Sequence, residues 1–355
     1  MAAASMKSGG RECAVYVAHS GDGTIAAFSM DSAHERPRRL QTIAIAGGDI
    51  AGGMSTPMAV GPDRRRLYAA VRKAPLPITS FAIDHADGTL TALATARLPA
   101  STPFLAVDRN GRFLISAANV GATVAVSAID GEGLVGPRAH QVLHIGHKLH
   151  CIAVDAANAH AYVSSTDDGR IYQFGFDAAA GLLAPLAPFA VRLEDGGDPR
   201  HMVLSPGGRF MYVTTEAGGR VACLAVDQAT GQLAERPGAA MMPDGFSGHP
   251  WTADIHLTGD GRHLYASARS LKTIVGYRVD PATGALTPIG SVVNDGRPRA
   301  FAIAPDDTFM LVAGEDSGTV SAYAIDRETG TLAPGVRFET GPGPNWIEFV
   351  PLGGA

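Results

Sequence analysis

The chain has 355 residues, of which 46% are hydrophobic and 18% are charged, and its formal net charge is −5 at neutral pH. This composition excludes a disordered chain, and the slight negative charge gives no electrostatic reason to bind nucleic acid or an anionic membrane. The three cysteines are scattered, with no CxxC spacing, which argues against a disulfide framework and a thiolate metal site. No apolar run reaches membrane-spanning length. We therefore expect a cytoplasmic protein with neither a nucleic-acid nor a membrane partner.

The strongest feature of the sequence is a phrase that recurs along the whole chain. Its anchor is usually a tyrosine, and the anchors follow one another at intervals of 52, 47, 47, 50, 53 and 46 residues. They are Tyr16, Tyr68, Ile115, Tyr162, Tyr212, Tyr265 and Leu311. A fixed period of this length indicates a repeat architecture in which each copy is one supersecondary unit.

Each copy contains four short segments with strand character. Residues 201–237, for example, comprise HMVLS, a PGGR turn, FMYVTTE, AGGRVACLAVD and the hairpin phrase QATGQLAERP. Alternating apolar residues and glycine turns indicate antiparallel β-structure, and four strands in about 45–50 residues are typical of a propeller blade. The sequence predicts an all-β fold, a seven-bladed β-propeller in residues 14–355. Residues 1–13 are interpreted as a disordered or expression-derived extension.

The two ends of the chain complement each other. The N-terminal segment AVYVAH matches the second strand of a blade, whereas the C-terminal NWIEFVP matches an isolated first strand. We expect both to share one blade, because closing the ring in this way removes two exposed β-edges.

In a blade the first strand is innermost and the second runs antiparallel to it. The start of the first strand and the end of the second strand therefore meet at the same mouth of the central tunnel. The polar residues that the repeat brings to these positions, in chain order, are Arg72, Asn119, His150, Arg200, His201, Glu216, Asp254, Arg269, Arg299 and Glu315. His256 shares a strand face with Asp254, so a hydrogen-bonded pair is expected there.

Four arginines together with acidic residues and histidines predict a small anionic ligand handled by acid–base groups. The alternative is that these side chains form ion pairs between blades and only line a channel. A shared metal at His140, His144, His147 and His150 is disfavoured, because the segment leads into a strand, where alternate side chains point oppositely. We therefore expect no metal and no cofactor.

Three phrases carry a family resemblance: GDPRHMVLSPGGRFMYVTTE, ADIHLTGDGRHLYASAR and GRPRAFAIAPDDTFMLVAGE. They resemble signature phrases of the seven-bladed propeller lactonases, a family that includes cytoplasmic 6-phosphogluconolactonases and fungal carboxymuconate-lactonizing enzymes. The resemblance extends from Ala14 to Pro351. It implies that His150, Arg200, Glu216 and Arg269 are the catalytic residues. Two positions depart from the pattern, with Glu315 where the family usually has glutamine and Ala268 where asparagine is common.

The resemblance implies hydrolysis of a sugar-acid lactone, with 6-phosphogluconolactone as the expected substrate. Either His150 or Glu216 is the general base, and Arg200 and Arg269 stabilise the oxyanion or anchor the substrate. His201, Asp254, His256, Arg299, Arg72, Glu315 and Asn119 are expected to contact substrate or support these groups.

Two alternatives stay open: an enzyme acting on a carboxylated muconolactone, and a non-catalytic propeller scaffold. A monomer or weak homo-oligomer is expected.

Overall fold

A computed structural model describes residues 12–45, 55–194 and 197–353. Within these ranges the chain forms 28 β-strands and no helix. The first fourteen strands are β1 (Cys13–His19), β2 (Thr24–Met30), β3 (Arg38–Ala44), β4 (Met58–Val60), β5 (Arg66–Ala70), β6 (Pro77–Ile83), β7 (Leu90–Arg97), β8 (Phe104–Val107), β9 (Phe113–Ala118), β10 (Thr123–Ile129), β11 (Val135–His144), β12 (Leu149–Val154), β13 (His160–Ser165) and β14 (Arg170–Asp177).

The remaining strands continue the same rhythm. They are β15 (Leu182–Arg192), β16 (Pro199–Leu204), β17 (Phe210–Thr215), β18 (Arg220–Val226), β19 (Leu233–Ala240), β20 (Thr252–Leu257), β21 (His263–Ala268), β22 (Thr273–Val279), β23 (Leu286–Val293), β24 (Pro298–Ile303), β25 (Phe309–Gly314), β26 (Thr319–Ile325), β27 (Leu332–Glu339) and β28 (Pro344–Pro351). They form seven four-stranded sheets. The seven-bladed propeller predicted from the repeat is therefore confirmed.

Six blades are continuous in sequence. Blade 1 comprises β4–β7, and blades 2 to 6 follow in groups of four up to β27. Blade 7 contains β28, β1, β2 and β3 in that order, and the antiparallel pairing of β1 with β28 matches Ala14 to Val350 and Tyr16 to Glu348. Closure of the ring by the two ends of the chain is thus confirmed. β1 begins at Cys13, which is the last residue of the predicted N-terminal extension. Residues 1–11 of that extension lie outside the described residues.

Burial explains why the strands differ in sequence. The second strands β9, β17, β21 and β25 are buried at every position, because neighbouring blades cover both faces of each sheet. The outermost strands alternate between exposed and partly buried residues, as in β7. The apolar core is correspondingly divided into seven clusters, each lying between two neighbouring blades.

The recurring tyrosine has a physical function, which is to join one blade to the next. The hydroxyl of Tyr265 in blade 5 donates a hydrogen bond to the carbonyl of Gly330 in the outer hairpin of blade 6, at 2.8 Å. The same bond recurs from Tyr16 to Gly88, Tyr68 to Gly133, Tyr162 to Gly231 and Tyr212 to Gly284. Gly330 has a φ of 76°, which favours glycine over any residue with a side chain. The hairpin glycines and the tyrosine anchors are therefore parts of one contact.

No helix in the described part of the chain has the length and apolar character needed to span a bilayer.

We expect Tyr265→Phe to lower the free energy of unfolding by about 1–2 kcal/mol, because it removes the donor from a buried carbonyl without changing the packing of the ring. Urea unfolding followed by tryptophan fluorescence measures this change. Tyr172→Phe is the matched control, since its hydroxyl bonds Asp168 within one blade. A loss at Tyr265 no larger than that at Tyr172 would contradict a special stabilising effect of the inter-blade bond.

Candidate active site

The predicted polar residues lie at one mouth of the tunnel, because each occupies an equivalent position in its blade. His150, Arg200 and Arg299 are the second residues of the innermost strands β12, β16 and β24. The second strands end one residue before Asn119, Glu216, Arg269 and Glu315, and β5 ends two residues before Arg72. The innermost strands run away from this mouth, so His256, near the end of β20, lies deeper in the tunnel.

Glu216 is held between two arginines from different strands. Arg269 Nη2 donates a hydrogen bond to Glu216 Oε1 at 2.6 Å, and Arg200 Nε lies 3.5 Å from Oε2. Burial alone would raise the pKa of Glu216, but the charges of Arg200 and Arg269 outweigh burial and hold the pKa below its usual value. Glu216 is therefore ionised at neutral pH, with both oxygens facing guanidinium groups.

Both arginines are themselves fixed by backbone carbonyls. Arg200 Nη1 donates to Ala253 O at 2.7 Å, and Arg269 donates to the carbonyls of Trp251 and Thr252. Only 3% of either arginine side chain is accessible. Because Arg269 uses Nε and Nη2 for these bonds, its Nη1 group is left for another acceptor.

His150 is buried and surrounded by positive charge. Burial, followed by the charge of Arg200 and further cations including Arg72 and Arg299, lowers the pKa of His150 well below its ordinary value. Its Nδ1 atom is buried without a hydrogen-bond partner among the described residues. The imidazole is therefore neutral at physiological pH and retains unused hydrogen-bonding capacity.

Below His150 a hydrogen-bonded relay enters the tunnel. The rings of His150 and His201 lie 5.1 Å apart, and His201 Nδ1 is 2.7 Å from Asp254 Oδ1. The second oxygen of Asp254 is 3.2 Å from His256 Nε2 and also accepts the Phe301 backbone amide. The predicted Asp254–His256 pair is confirmed, and His201 extends it to a three-residue unit that joins blades 4 and 5.

The pKa values of the two histidines of this unit are shifted in opposite directions. Burial and the charge of Arg200 lower the pKa of His201 to about 4, despite its bond to Asp254. Burial would also lower the pKa of His256, but Asp254 outweighs burial and raises it. Asp254 itself is held ionised by the two histidines against the effect of burial. His256 is thus protonated more readily than His201.

The tunnel contains an acidic residue that the sequence reasoning did not single out. Glu348 of β28 lines a cavity of about 540 Å³ together with His201, Asp254, His256 and Trp346. Burial raises the pKa of Glu348 to about 7, although the Trp346 indole donates to its Oε1 at 2.9 Å. Alternation along NWIEFVP, which places Trp346 and Glu348 on one face, could have indicated this pair.

The other mouth arginines have different partners. Arg299 Nη1 donates to Glu315 Oε1 at 2.8 Å, whereas Arg72 donates to the neutral oxygens of Ser55, Asn119 and Ser101. The structure therefore brings the predicted residues together in three groups at the mouth and in the relay below it. Some of the mouth positions do form ion pairs between blades, as the alternative interpretation expected, since Arg269 and Glu216 belong to adjacent blades.

A loop between β19 and β20 also contributes to the mouth. Its last residue, Trp251, has a φ of 51°, which is uncommon for a residue with a side chain. The guanidinium of Arg269 lies 4.3 Å from the centroid of the Trp251 ring, and that of Arg297 lies 5.3 Å from it. Cation–π contact thus joins this loop to the arginine group.

The structure separates the histidines of the disfavoured metal site. His140 and His144 lie on the outermost strand β11, whereas His150 lies on the innermost strand β12 of the next blade. No group of three or more histidine, cysteine, aspartate or glutamate side chains in the described part of the chain could hold a metal ion.

The structure is a seven-bladed propeller with arginine–carboxylate pairs and a buried histidine at one mouth of its tunnel. The family described as "Lactonase, 7-bladed beta-propeller" matches residues 41–349. The chain belongs to this propeller lactonase family.

Curated relatives support the assignment. A protein of Pectobacterium carotovorum named 6-phosphogluconolactonase is 34% identical over 88% of this chain and 91% of its own length. One of the same name from Sodalis glossinidius is 35% identical, covering 84% of this chain and 89% of the relative. The solved structure of the Pseudomonas aeruginosa periplasmic gluconolactonase is similar to this chain with a TM-score of 0.85 at 23% identity, covering 96% and 99% of the two chains. That structural likeness supports the fold.

We expect Asp254→Asn to lower the pKa of His256, because the largest charge that opposes burial would be lost and Glu348 would be the remaining carboxylate acting on the ring. Histidine ring ¹⁵N chemical shifts followed through a pH titration measure the change. Asp260→Asn is the control, since Asp260 bonds Arg262 and Thr258 on the same blade, outside the relay. An unchanged His256 pKa in the Asp254 variant would contradict the relay.

Proposed function

We propose that this lactonase hydrolyses 6-phosphogluconolactone to 6-phosphogluconate in the cytoplasm. Membership of the family makes the chain a hydrolase acting on lactones. The finer substrate assignment rests on the relatives' names and on the excess of arginine at the mouth. One arrangement supports the proposal most directly. The Glu216 carboxylate lies between Arg200 and Arg269, and Arg200 also lies close enough to the neutral His150 to lower its pKa.

Lactone hydrolysis needs a water molecule aimed at the ester carbonyl, a base to accept its proton and positive charge near the developing oxyanion. We assign the base to His150, which is neutral at physiological pH and has an unpartnered buried nitrogen. Glu216 is the weaker candidate, because both of its oxygens face guanidinium groups and its pKa is lowered.

In this assignment Glu216 orients the two guanidinium groups rather than accepting the proton. The Nη1 group of Arg269 stabilises the oxyanion, because its other donors are already occupied. Arg200 adds positive charge beside it. His201, Asp254 and His256 support the floor of the site through their hydrogen bonds, and His201 lies next to His150.

A carboxylated muconolactone is the alternative substrate, because its carboxylates would also suit arginine. The scaffold alternative is disfavoured by membership of the lactonase family. Initial rates with 6-phosphogluconolactone, plain δ-gluconolactone and a carboxylated muconolactone distinguish the substrates, and the proposal expects the highest kcat/KM for the first. A preference for the muconolactone would replace the substrate assignment.

We expect His150→Ala to lower kcat for lactone hydrolysis by at least about 100-fold, the lower range for loss of a general base. Glu216→Gln keeps an oxygen that can accept from Arg269 and should lower kcat less than His150→Ala does. A pH-stat assay with spontaneous lactone opening subtracted measures both rates. If Glu216→Gln causes the larger loss in a folded protein, Glu216 is the base and the assignment is wrong.

We propose that hydrolysis needs no metal ion, because the arginines supply the positive charge that a metal would otherwise provide. Incubation with EDTA followed by gel filtration into chelated buffer should therefore leave kcat and KM unchanged. A rate that falls after this treatment and returns on addition of a divalent cation would contradict metal independence.

A further inference from the structure

The mouth arginines are not equivalent, because only some of them face a carboxylate. Glu216 lies between Arg200 and Arg269, and Glu315 accepts from Arg299. Arg72 makes no ion pair with any residue in the described ranges, and the acceptors of its side-chain hydrogen bonds are neutral. Within the described part of the chain, its positive charge is therefore the one among the four mouth arginines that no carboxylate partner offsets.

The cost of keeping this charge is substantial. Arg72 is only partly accessible, and burial together with the charges of Arg299 and Arg200 lowers its pKa to about 10. A guanidinium placed near two other cations without a carboxylate partner is stabilised when an anion binds. Among the described residues, Arg200 and Arg269 share Glu216 and Arg299 faces Glu315, whereas Arg72 has no carboxylate partner that offsets its charge before a ligand binds.

The surroundings of Arg72 match a tetrahedral oxyanion. Arg72 Nη2 donates to Asn119 Oδ1 at 2.6 Å and Nη1 donates to Ser55 Oγ at 3.0 Å. Because these oxygens accept from Arg72, the Asn119 amide and the Ser55 hydroxyl retain donors for a ligand. A phosphate monoester carries close to two negative charges at pH 7 and three terminal oxygens that accept hydrogen bonds.

The location is also suitable. Arg72 contributes to the positive potential at His150, so both groups act on the same mouth. Arg72 belongs to blade 1, whereas Glu216 and Arg269 belong to blades 4 and 5. A substrate could thus place its tail toward blade 1 while its reacting carbonyl lies near the Glu216 arginines.

We propose that Arg72, Ser55 and Asn119 form a phosphate subsite that selects phosphorylated over plain lactones. This inference rests on the proposed function and assigns the recognition of the phosphate to a place separate from the reacting carbonyl. Asn119 keeps the charge of Arg72 available to the phosphate, because its amide is neutral. The glutamates that pair with the other mouth arginines offset the charge of those arginines.

Two variants test the subsite with plain δ-gluconolactone as the internal reference. Arg72→Gln should lower the preference for 6-phosphogluconolactone, expressed as the ratio of its kcat/KM to that of plain lactone, by about 10- to 100-fold, as expected for the loss of a charge-assisted hydrogen bond. The ratio cancels any effect of Arg72 on His150, because that effect acts on both lactones. Asn119→Asp keeps Arg72 but supplies a carboxylate partner, and should produce the same selective loss. Asn119→Ser is the matched neutral control and should keep most of the preference for the phosphorylated lactone.

Equal losses on both lactones in Arg72→Gln, or equal effects of Asn119→Asp and Asn119→Ser, would overturn the subsite. A carboxylated lactone is the third substrate in this test. If Arg72→Gln lowers kcat/KM more for the carboxylated lactone than for the phosphorylated one, the subsite recognises carboxylate and not phosphate.

Failure of the proposed function has a different signature, namely that the wild-type protein hydrolyses none of these lactones. The subsite is then tested by binding of inorganic phosphate, measured by isothermal titration calorimetry. Binding by the wild-type protein that is lost in Arg72→Gln would support the subsite, and equal binding by both proteins, or binding by neither, would overturn it.

Discussion

Contact between neighbouring blades is the constraint on which this structure depends. The apolar core consists of seven clusters, and each lies between two blades, so a single blade cannot bury its own faces. Pairing of β1 with β28 closes the ring and leaves no blade at an open end. The hydrogen bond from the anchor tyrosine to the hairpin glycine of the next blade also joins neighbouring blades. The mouth exists only because the ring is closed.

The ring determines the electrostatics of the site. It collects arginines from four blades within a small region, where each disfavours the charged form of its neighbours. Glu216 and Glu315 offset part of this charge, and burial of His150 together with the remaining charge keeps its imidazole neutral. An anionic substrate would offset it further and so raise the pKa of His150 toward the range in which a base is most effective. In the proposed mechanism, in which His150 is the base, binding of the anion and activation of the base are therefore coupled by the same electric field.

The tunnel below the mouth is lined by a second group of polar residues. His201, Asp254 and His256 form a hydrogen-bonded unit, which holds the ring of His201 next to His150. Glu348, with a pKa raised to about 7, faces the same cavity from the strand that closes the ring. The last strand of the chain thus contributes both to closure and to the polar lining of the tunnel.

Much of this could be predicted from the sequence, because a period of about 50 residues sets the fold and the same position in each repeat reaches the same mouth. Tyr16 to Leu311 as anchors, the shared blade of β1 and β28 and the Asp254–His256 pair follow from periodicity alone. Periodicity places side chains on a ring but does not choose their partners. The tertiary structure decided that Glu216 bonds Arg269 whereas Arg72 meets only neutral oxygens, and that Glu348 lines the same cavity as His256. These contacts join residues of different blades and depend on side-chain reach, which the repeat does not specify.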